Sequence, residues 1–281
     1  MANPTCPITH PDLLVTYPTP QILLVTINRP KQMNSVSTSM HAALDQIWTW
    51  YDSISSLRCG IITGAAPPSR PGKQPRRAFC AGADLKEWQN RNSSKKANQD
   101  STGGFCGLSN RRGKKPVIAA VHGIAFGGGM ETTINCDVVV AHKESVFSLP
   151  EAKRGVIAVA GGLPRLALTV GLQRATELAL TGRILDAETA REWGLVNEVV
   201  EGDVVEAAIR WAGLVAGLSP DAVIATREGL RGTGWYGKMS EDSTKDVEVG
   251  VWQKLQEGEN IKEGLKAFVE KRDVRWVDSK L

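Results

Sequence analysis

Two short runs rich in β-branched residues, Leu13 to Tyr17 and Ile22 to Asn28, flank a proline-containing turn, a pattern that predicts a hairpin and the start of a sheet. The period then changes. From Ser37 to Leu57 the apolar residues Met40, Leu44, Ile47, Trp48 and Tyr51 recur at helical spacing, and Gly60 to Thr63 reads as the next strand. Pro116 to Val121 and Cys136 to Ala141 repeat the strand signal on either side of a glycine-rich turn and a short helix. Strand signals end after Leu195 to Val200, and Asp203 to Val215, Pro220 to Leu230 and Asn260 to Arg272 read as helices. In the last of these Ile261, Leu265, Phe268 and Val269 share one face, and Asn260 with Glu263 reads as a capping box. Periodicity alone gives an α/β protein that ends in helices.

Composition narrows the classes. A chain of 281 residues, 42% hydrophobic and 23% charged, suffices for a substantial core and predicts one large domain, or one domain with an appendage. The net charge of +4 is small for this length and its signs are interspersed, which gives nucleic-acid binding no support. Cys6, Cys59, Cys80, Cys106 and Cys136 are widely spaced and odd in number, which argues against a disulfide framework or a zinc site and for a reducing intracellular compartment. The four histidines lack metal-ligand spacing, no apolar run is long enough to span a membrane, and Met1 to Pro20 does not read as a secretion signal. Two polar stretches, Ala65 to Arg77 and Gln89 to Lys115, lack periodicity and read as mobile loops.

Between those stretches lies Ala78 to Trp88, AFCAGADLKEW, followed by Val117 to Asp137, VIAAVHGIAFGGGMETTINCD. In the second, Gly127, Gly128 and Gly129 follow a strand and open a helix, so unpaired N–H groups and the positive helix end face whatever approaches. Such a place suits an oxygen that gains negative charge, although glycines there also serve tight helix-to-sheet packing. Glu131 falls in the first turn of that helix, and Glu151 follows Pro150 in VFSLPEAKRGV. Alone, Glu131 would read as a carboxylate favoured by the helix dipole, worth a few tenths to about 1 kcal/mol, and Glu151 as a surface residue in a turn.

Taken together, these segments resemble the enoyl-CoA hydratase (crotonase) family, in a peroxisomal, fungal-type form, and the likeness extends through Arg183 to Val199 and the EGLKAFVEKR tail helix. The resemblance implies a crotonase (ClpP-like) spiral of β-β-α units with a C-terminal helical region: residues 1–200 as the core with the acyl-CoA site, and 201–281 as helices plus a targeting tail. It implies that the N–H groups of Ala83 and Gly128 form an oxyanion hole, with Glu131 as base on water and Glu151 as the acid that protonates the α-carbon. Ala81, Gly82, Asp84, Leu85, Lys86 and Gly127 are the implied substrate contacts; Arg76, Arg77 and Lys271 are further candidates for coenzyme A phosphates. No redox or metal cofactor is implied, coenzyme A entering as part of the substrate. The implied assembly is a trimer or a dimer of trimers.

Two carboxylates favour a hydratase or dehydratase acting on a 2-enoyl-CoA, by syn addition of water, over an isomerase. The specific alternative is dehydration of a branched 3-hydroxyacyl-CoA, such as mevalonyl-CoA to anhydromevalonyl-CoA in siderophore synthesis. Ala158, Ala160, Leu163 and Pro164 depart from the family's usual acyl-pocket sequence and leave the acyl group open. A binding module reading rests only on the Arg111, Arg112, Lys114, Lys115 cluster. Ser279, Lys280 and Leu281 match the address read by the peroxisomal import receptor, so the peroxisome is the expected location, and Trp276 is a candidate to pin this tail to the body.

Overall fold

The computed structural model describes residues 3–68, 77–84, 87, 103–237 and 240–281. The expected hairpin forms from β1 (Leu13–Thr19) and β2 (Ile22–Ile27), paired antiparallel with Leu13 opposite Ile27. Ser37 then caps α1 (Thr38–Ser53) by accepting from the Met40 N–H, and the periodic residues Met40, Leu44, Ile47, Trp48 and Tyr51 are all buried. β3 (Cys59–Gly64) lies parallel to β2. It is followed across the sheet by β5 (Val117–Val121), β7 (Val138–His142) and β10 (Glu198–Val200), which gives six strands in the order β1-β2-β3-β5-β7-β10.

The strands of this sheet feed a second, four-stranded one: β4 (Ala78–Cys80), β6 (Ile124–Phe126), β8 (Val146–Ser148) and β9 (Leu185–Asp186), in the order β4-β6-β8-β9. Strands of two or three residues are too short for an alternation signal, so periodicity did not predict them. Together with α2 (Gly128–Asn135), α3 (Gly162–Val170), α4 (Leu172–Thr181) and α5 (Ala187–Glu192) they form the core of alternating strands and helices.

The large sheet is covered on both faces. One side buries Leu23, Val25, Ile27, Ile62, Ala119 and Val121 against Leu44, Ile47 and Trp48 of α1 and Met130 and Ile134 of α2. On the other, α6 (Val204–Ala216), capped by Asp203, lays Ala207, Ala208, Ala212 and Ala216 on Ile22, Ile61, Ile118 and Val140. Each fully buried Val, Leu or Ile side chain among them contributes about 1.5–3 kcal/mol, and each alanine less. Small residues on α6 let the helix sit close. The chain then continues through α7 (Pro220–Tyr236), α8 (Ser240–Val249), α9 (Val251–Glu257) and α10 (Glu259–Glu270). Asp137 tethers α7 by accepting from Arg227 Nε at 2.8 Å and Arg231 Nε at 3.0 Å, while its other oxygen accepts from the Val117 N–H. Burial works to raise this carboxyl, but the two guanidinium groups outweigh it and hold the carboxyl below its usual range.

Two expectations are corrected. Asn260 does not cap α10, whose N-cap is Gly258. Its amide donates instead to Asp221 and to the Val277 carbonyl, and accepts from the Val277 N–H, so tertiary partners outcompete the cap. Second, the part of Gln89 to Lys115 that is described, residues 103–115, is no loose loop: Phe105, Cys106, Leu108, Ser109, Arg111 and Lys115 are buried. The basic cluster at 111–115 is divided: Arg112 and Lys114 are exposed, whereas Arg111 and Lys115 are buried. Arg111 pairs with Asp52 at 2.6 Å, and Lys115 Nζ donates to the Tyr51 and Ile54 carbonyls at the C-terminal end of α1. The tail 273–281 is pinned: Trp276 Nε1 donates to the Gly217 carbonyl, Ser279 is buried on Asp221, Lys280 pairs with Glu259, and Lys114 donates to the Leu281 carbonyl.

Candidate active site

The site begins where β6 ends. Gly127 adopts φ 56°, ψ −127°, a conformation that L side chains rarely adopt, and its N–H donates to the Ser148 carbonyl of the neighbouring β8 at 3.0 Å. α2 then starts almost on top of β4: a Cβ at Gly129 would lie 2.2 Å from the Cys80 carbonyl oxygen. No residue with a side chain fits there without moving a strand. This contact brings the Ala81–Asp84 segment beside the first turn of α2, where a Cβ at Gly82 would be 3.6 Å from the Gly128 nitrogen.

Both expected N–H donors remain open. Val36 donates to the Gly82 carbonyl and accepts from the Asp84 N–H, each at 3.0 Å. Successive groups along an extended strand point to opposite sides, so the intervening Ala83 N–H is turned away from Val36. Gly128 is the first residue of α2 and has no carbonyl behind it within the helix. Neither N–H donates to any of the described residues.

Glu131 lies one turn into α2 and is 4% exposed. Its Oε1 accepts from the Gly162 N–H at 3.0 Å, and a Cβ at Gly162 would come within 2.5 Å of Glu131 Cγ. Burial pushes this carboxyl up to about 7, with the charge of Glu151 adding to the rise and the backbone at Gly162 and Ala160 restraining it. Glu151 heads the short 3₁₀ turn Glu151–Arg154 after β8 and Pro150. Burial also raises its carboxyl, against its own backbone N–H and the nearby Arg154. Its Oε1 faces Gly127, whose Cβ would sit 2.9 Å away, while its Oε2 is buried with no partner among the described residues.

The other expected residues divide. The Ala81 N–H is taken by the Met33 carbonyl, and the Asp84 carboxylate is held by Arg29 at 3.2 Å, so these order the loop. Leu85, Lys86 and Arg76 lie outside the described residues; Arg77 and Lys271 are exposed. Two contributors escaped sequence reasoning. Phe105 packs its ring where a Cβ of Gly128 would go, 2.3 Å from its nearest atom, and meets His41 edge-on with centroids 4.5 Å apart. Gly162 was visible only as one of a glycine pair, not as the donor to Glu131. Among the described residues no group of three or more His, Cys, Asp or Glu side chains is placed to hold a metal ion.

Two open N–H groups and two carboxylates of raised pKa can polarise a carbonyl and move protons at the carbons next to it. The sequence profile described as Enoyl-CoA hydratase/isomerase matches residues 19–279. The chain is 50% identical to the mevalonyl-coenzyme A hydratase SIDH of Beauveria bassiana, over 98% of both chains. It is 45% identical to the mevalonyl-coenzyme A hydratase sidH of Aspergillus fumigatus, over 97% of this chain and 98% of that one. An enoyl-CoA hydratase structure from Mycobacterium tuberculosis H37Rv superposes with a TM-score of 0.83 at 35% identity, covering 96% of this chain and 100% of the other.

The raised Glu131 pKa has a measurable sign. Between its ordinary value of 4.5 and about 7 the folded protein holds a proton that the unfolded chain has released, so stability falls as pH rises through that window. The penalty is complete above it and amounts to about 3 kcal/mol. Glu131→Gln cannot ionise, so urea denaturation of variant and parent should show the variant gaining on the order of 3 kcal/mol between pH 4.5 and pH 8. A difference independent of pH would contradict a buried, proton-retaining Glu131.

Proposed function

Because the chain belongs to the enoyl-CoA hydratase/isomerase family, we propose that it is a hydro-lyase acting reversibly on mevalonyl-CoA and anhydromevalonyl-CoA. One observation carries the choice of acyl group: 50% identity, spread over nearly the full length, with a protein named for that activity. A linear 2-enoyl-CoA would use the same chemical kit, but Ala158, Ala160, Leu163 and Pro164 depart from the usual sequence in the segment that the family resemblance assigns to the acyl pocket, which favours a different occupant.

In this reading the thioester carbonyl lies between the N–H groups of Ala83 and Gly128. Charge that builds on its oxygen as the C2–H bond breaks is met by donors already in place, whereas the neutral ground state gains less. Ionised Glu151 takes the C2 proton, and the C3 hydroxyl leaves as water with the proton of Glu131. Hydration runs the same path backwards: Glu131 takes a proton from water and Glu151 delivers one to C2. The pair shares one proton, and a Glu131 of pKa about 7 keeps that proton close to neutrality, the form from which water departs. The backbone from Ala81 to Asp84 and Gly127 forms the edge along which coenzyme A lies. The reaction needs no cofactor beyond the coenzyme A of the substrate.

Two further proposals concern assembly and location. Leu265, Phe268 and Val269 of α10 are 65%, 83% and 79% exposed, an apolar face that favours self-association into trimers or dimers of trimers. Ser279, Lys280 and Leu281 favour import into the peroxisome through its receptor, for which the tail has to leave Asp221, Glu259 and Lys114.

Glu131→Gln and Glu151→Gln should each lower turnover of mevalonyl-CoA by at least about 100-fold in a coupled or mass-resolved assay while coenzyme A ester binding survives. Near-parental rates in either would remove that carboxylate from the mechanism. For location, a fluorescent protein carrying residues 270–281 should enter peroxisomes and one lacking Ser279 to Leu281 should stay in the cytosol; cytosolic fluorescence from both would end the peroxisomal reading.

A further inference from the structure

Ser109 lies in the buried stretch that replaces the expected loop, and no atom of it is exposed. Its Oγ accepts from the Phe105 N–H at 2.6 Å and donates to the Ala160 carbonyl at 2.6 Å. Those partners belong to the two halves of the site. The Phe105 ring walls the first residue of α2, Gly128, and the Phe105 carbonyl lies 3.4 Å from Thr132 Oγ1 of the same helix, whose nearer acceptor is the Gly128 carbonyl at 2.9 Å. Ala160 leads into Gly161 and Gly162, the backbone that receives the Glu131 carboxylate. The chain is shaped around the hydroxyl: a Cβ at Gly104 would lie 2.5 Å from Ser109 Oγ, and Gly104 has φ 71°.

We propose that Ser109 is a positioning residue for the reaction, its hydroxyl clamping the Phe105 wall of the oxyanion hole to the Ala160–Gly162 backbone that holds Glu131. The clamp fixes the spacing between the place where charge develops on the thioester oxygen and the carboxylate that exchanges a proton with water. Displacing such a group by about 1 Å can cost about 100-fold in rate without any loss of substrate contacts. The bland reading is a buried hydroxyl that merely satisfies two backbone groups and contributes about 1 kcal/mol to folding. The two readings separate in kinetics. This inference rests on the acid–base role proposed for Glu131, so Glu131→Gln is measured alongside.

Ser109→Ala should reduce kcat by about 10- to 100-fold with KM within about threefold, because the coenzyme A contacts lie elsewhere. The charged group facing Glu131 is Glu151; Arg165 of α3 is engaged by the Gly161 carbonyl and Asn110. Loosening Ala160 to Gly162 weakens backbone donation to Glu131, so the limb of the pH–rate profile linked to it should move upward by about half a pH unit or more. Thr63→Ala is the control: on β3, Thr63 Oγ1 donates a buried bond to the Ala120 carbonyl of β5 at 2.8 Å. It should lose comparable melting temperature and keep parental kcat.

A Ser109→Ala enzyme with kcat within twofold of the parent would overturn the clamp. So would a fall shared equally by Thr63→Ala with the pH limb unmoved. If Glu131→Gln itself retained turnover, the acid–base reading would fail first, and separately from the clamp.

Discussion

The active site depends on one steric allowance: the first turn of α2 approaches the carbonyls of β4 so closely that only hydrogen fits at Gly129. From that contact follow the proximity of the Ala81–Asp84 backbone to Gly128, the placing on neighbouring segments of two N–H groups with no acceptor among the described residues, and the depth at which Glu131 enters the interior. Glycine in such places costs roughly 0.5–1 kcal/mol each in chain entropy relative to alanine. The two-sided core of the large sheet offsets this many times over, since each buried aliphatic side chain returns more than one such loss.

The same contact sets the electrostatics. A carboxylate as buried as Glu131 resists ionisation, and the Gly162 N–H restrains but does not cancel that resistance. A fully solvated Glu would be ionised at neutral pH and could not serve as the proton donor to a departing hydroxyl; one buried without any donor would never release its proton. A value of about 7 lies between these failures and suits a group that works in both directions. Glu151 is less enclosed, and its unpartnered Oε2 leaves it able to face a substrate carbon.

Much of this was legible from residue pattern. The apolar period of α1, the β-branched runs of β1, β2, β5 and β7 and the glycine run before Glu131 each carried a local signal, and each appears where it was expected. The strands of the small sheet carried none, because three residues cannot display an alternation. The misreading of 103–115 has a sharper cause. Glycine, serine and basic residues suggest a solvated loop, but here Arg111 pairs with Asp52 and Lys115 closes the end of α1, contacts that join segments about sixty positions apart and leave no local trace. Phe105 and Gly162 were missed for the same reason: their partners, Gly128 and Glu131, are set by the fold and not by spacing along the chain.

The central claim is that the two carboxylates add and remove water across C2 and C3 of an acyl thioester while the oxyanion hole carries the charge. Its most direct test is to follow anhydromevalonyl-CoA with the enzyme in deuterated, ¹⁸O-enriched water by NMR and mass spectrometry. The account predicts one solvent deuteron at C2 and one solvent oxygen at C3 in the same product molecule, placed on the same face. Deuterium uptake without oxygen, accompanied by a displaced double bond, would show that the site moves protons alone and would contradict the account.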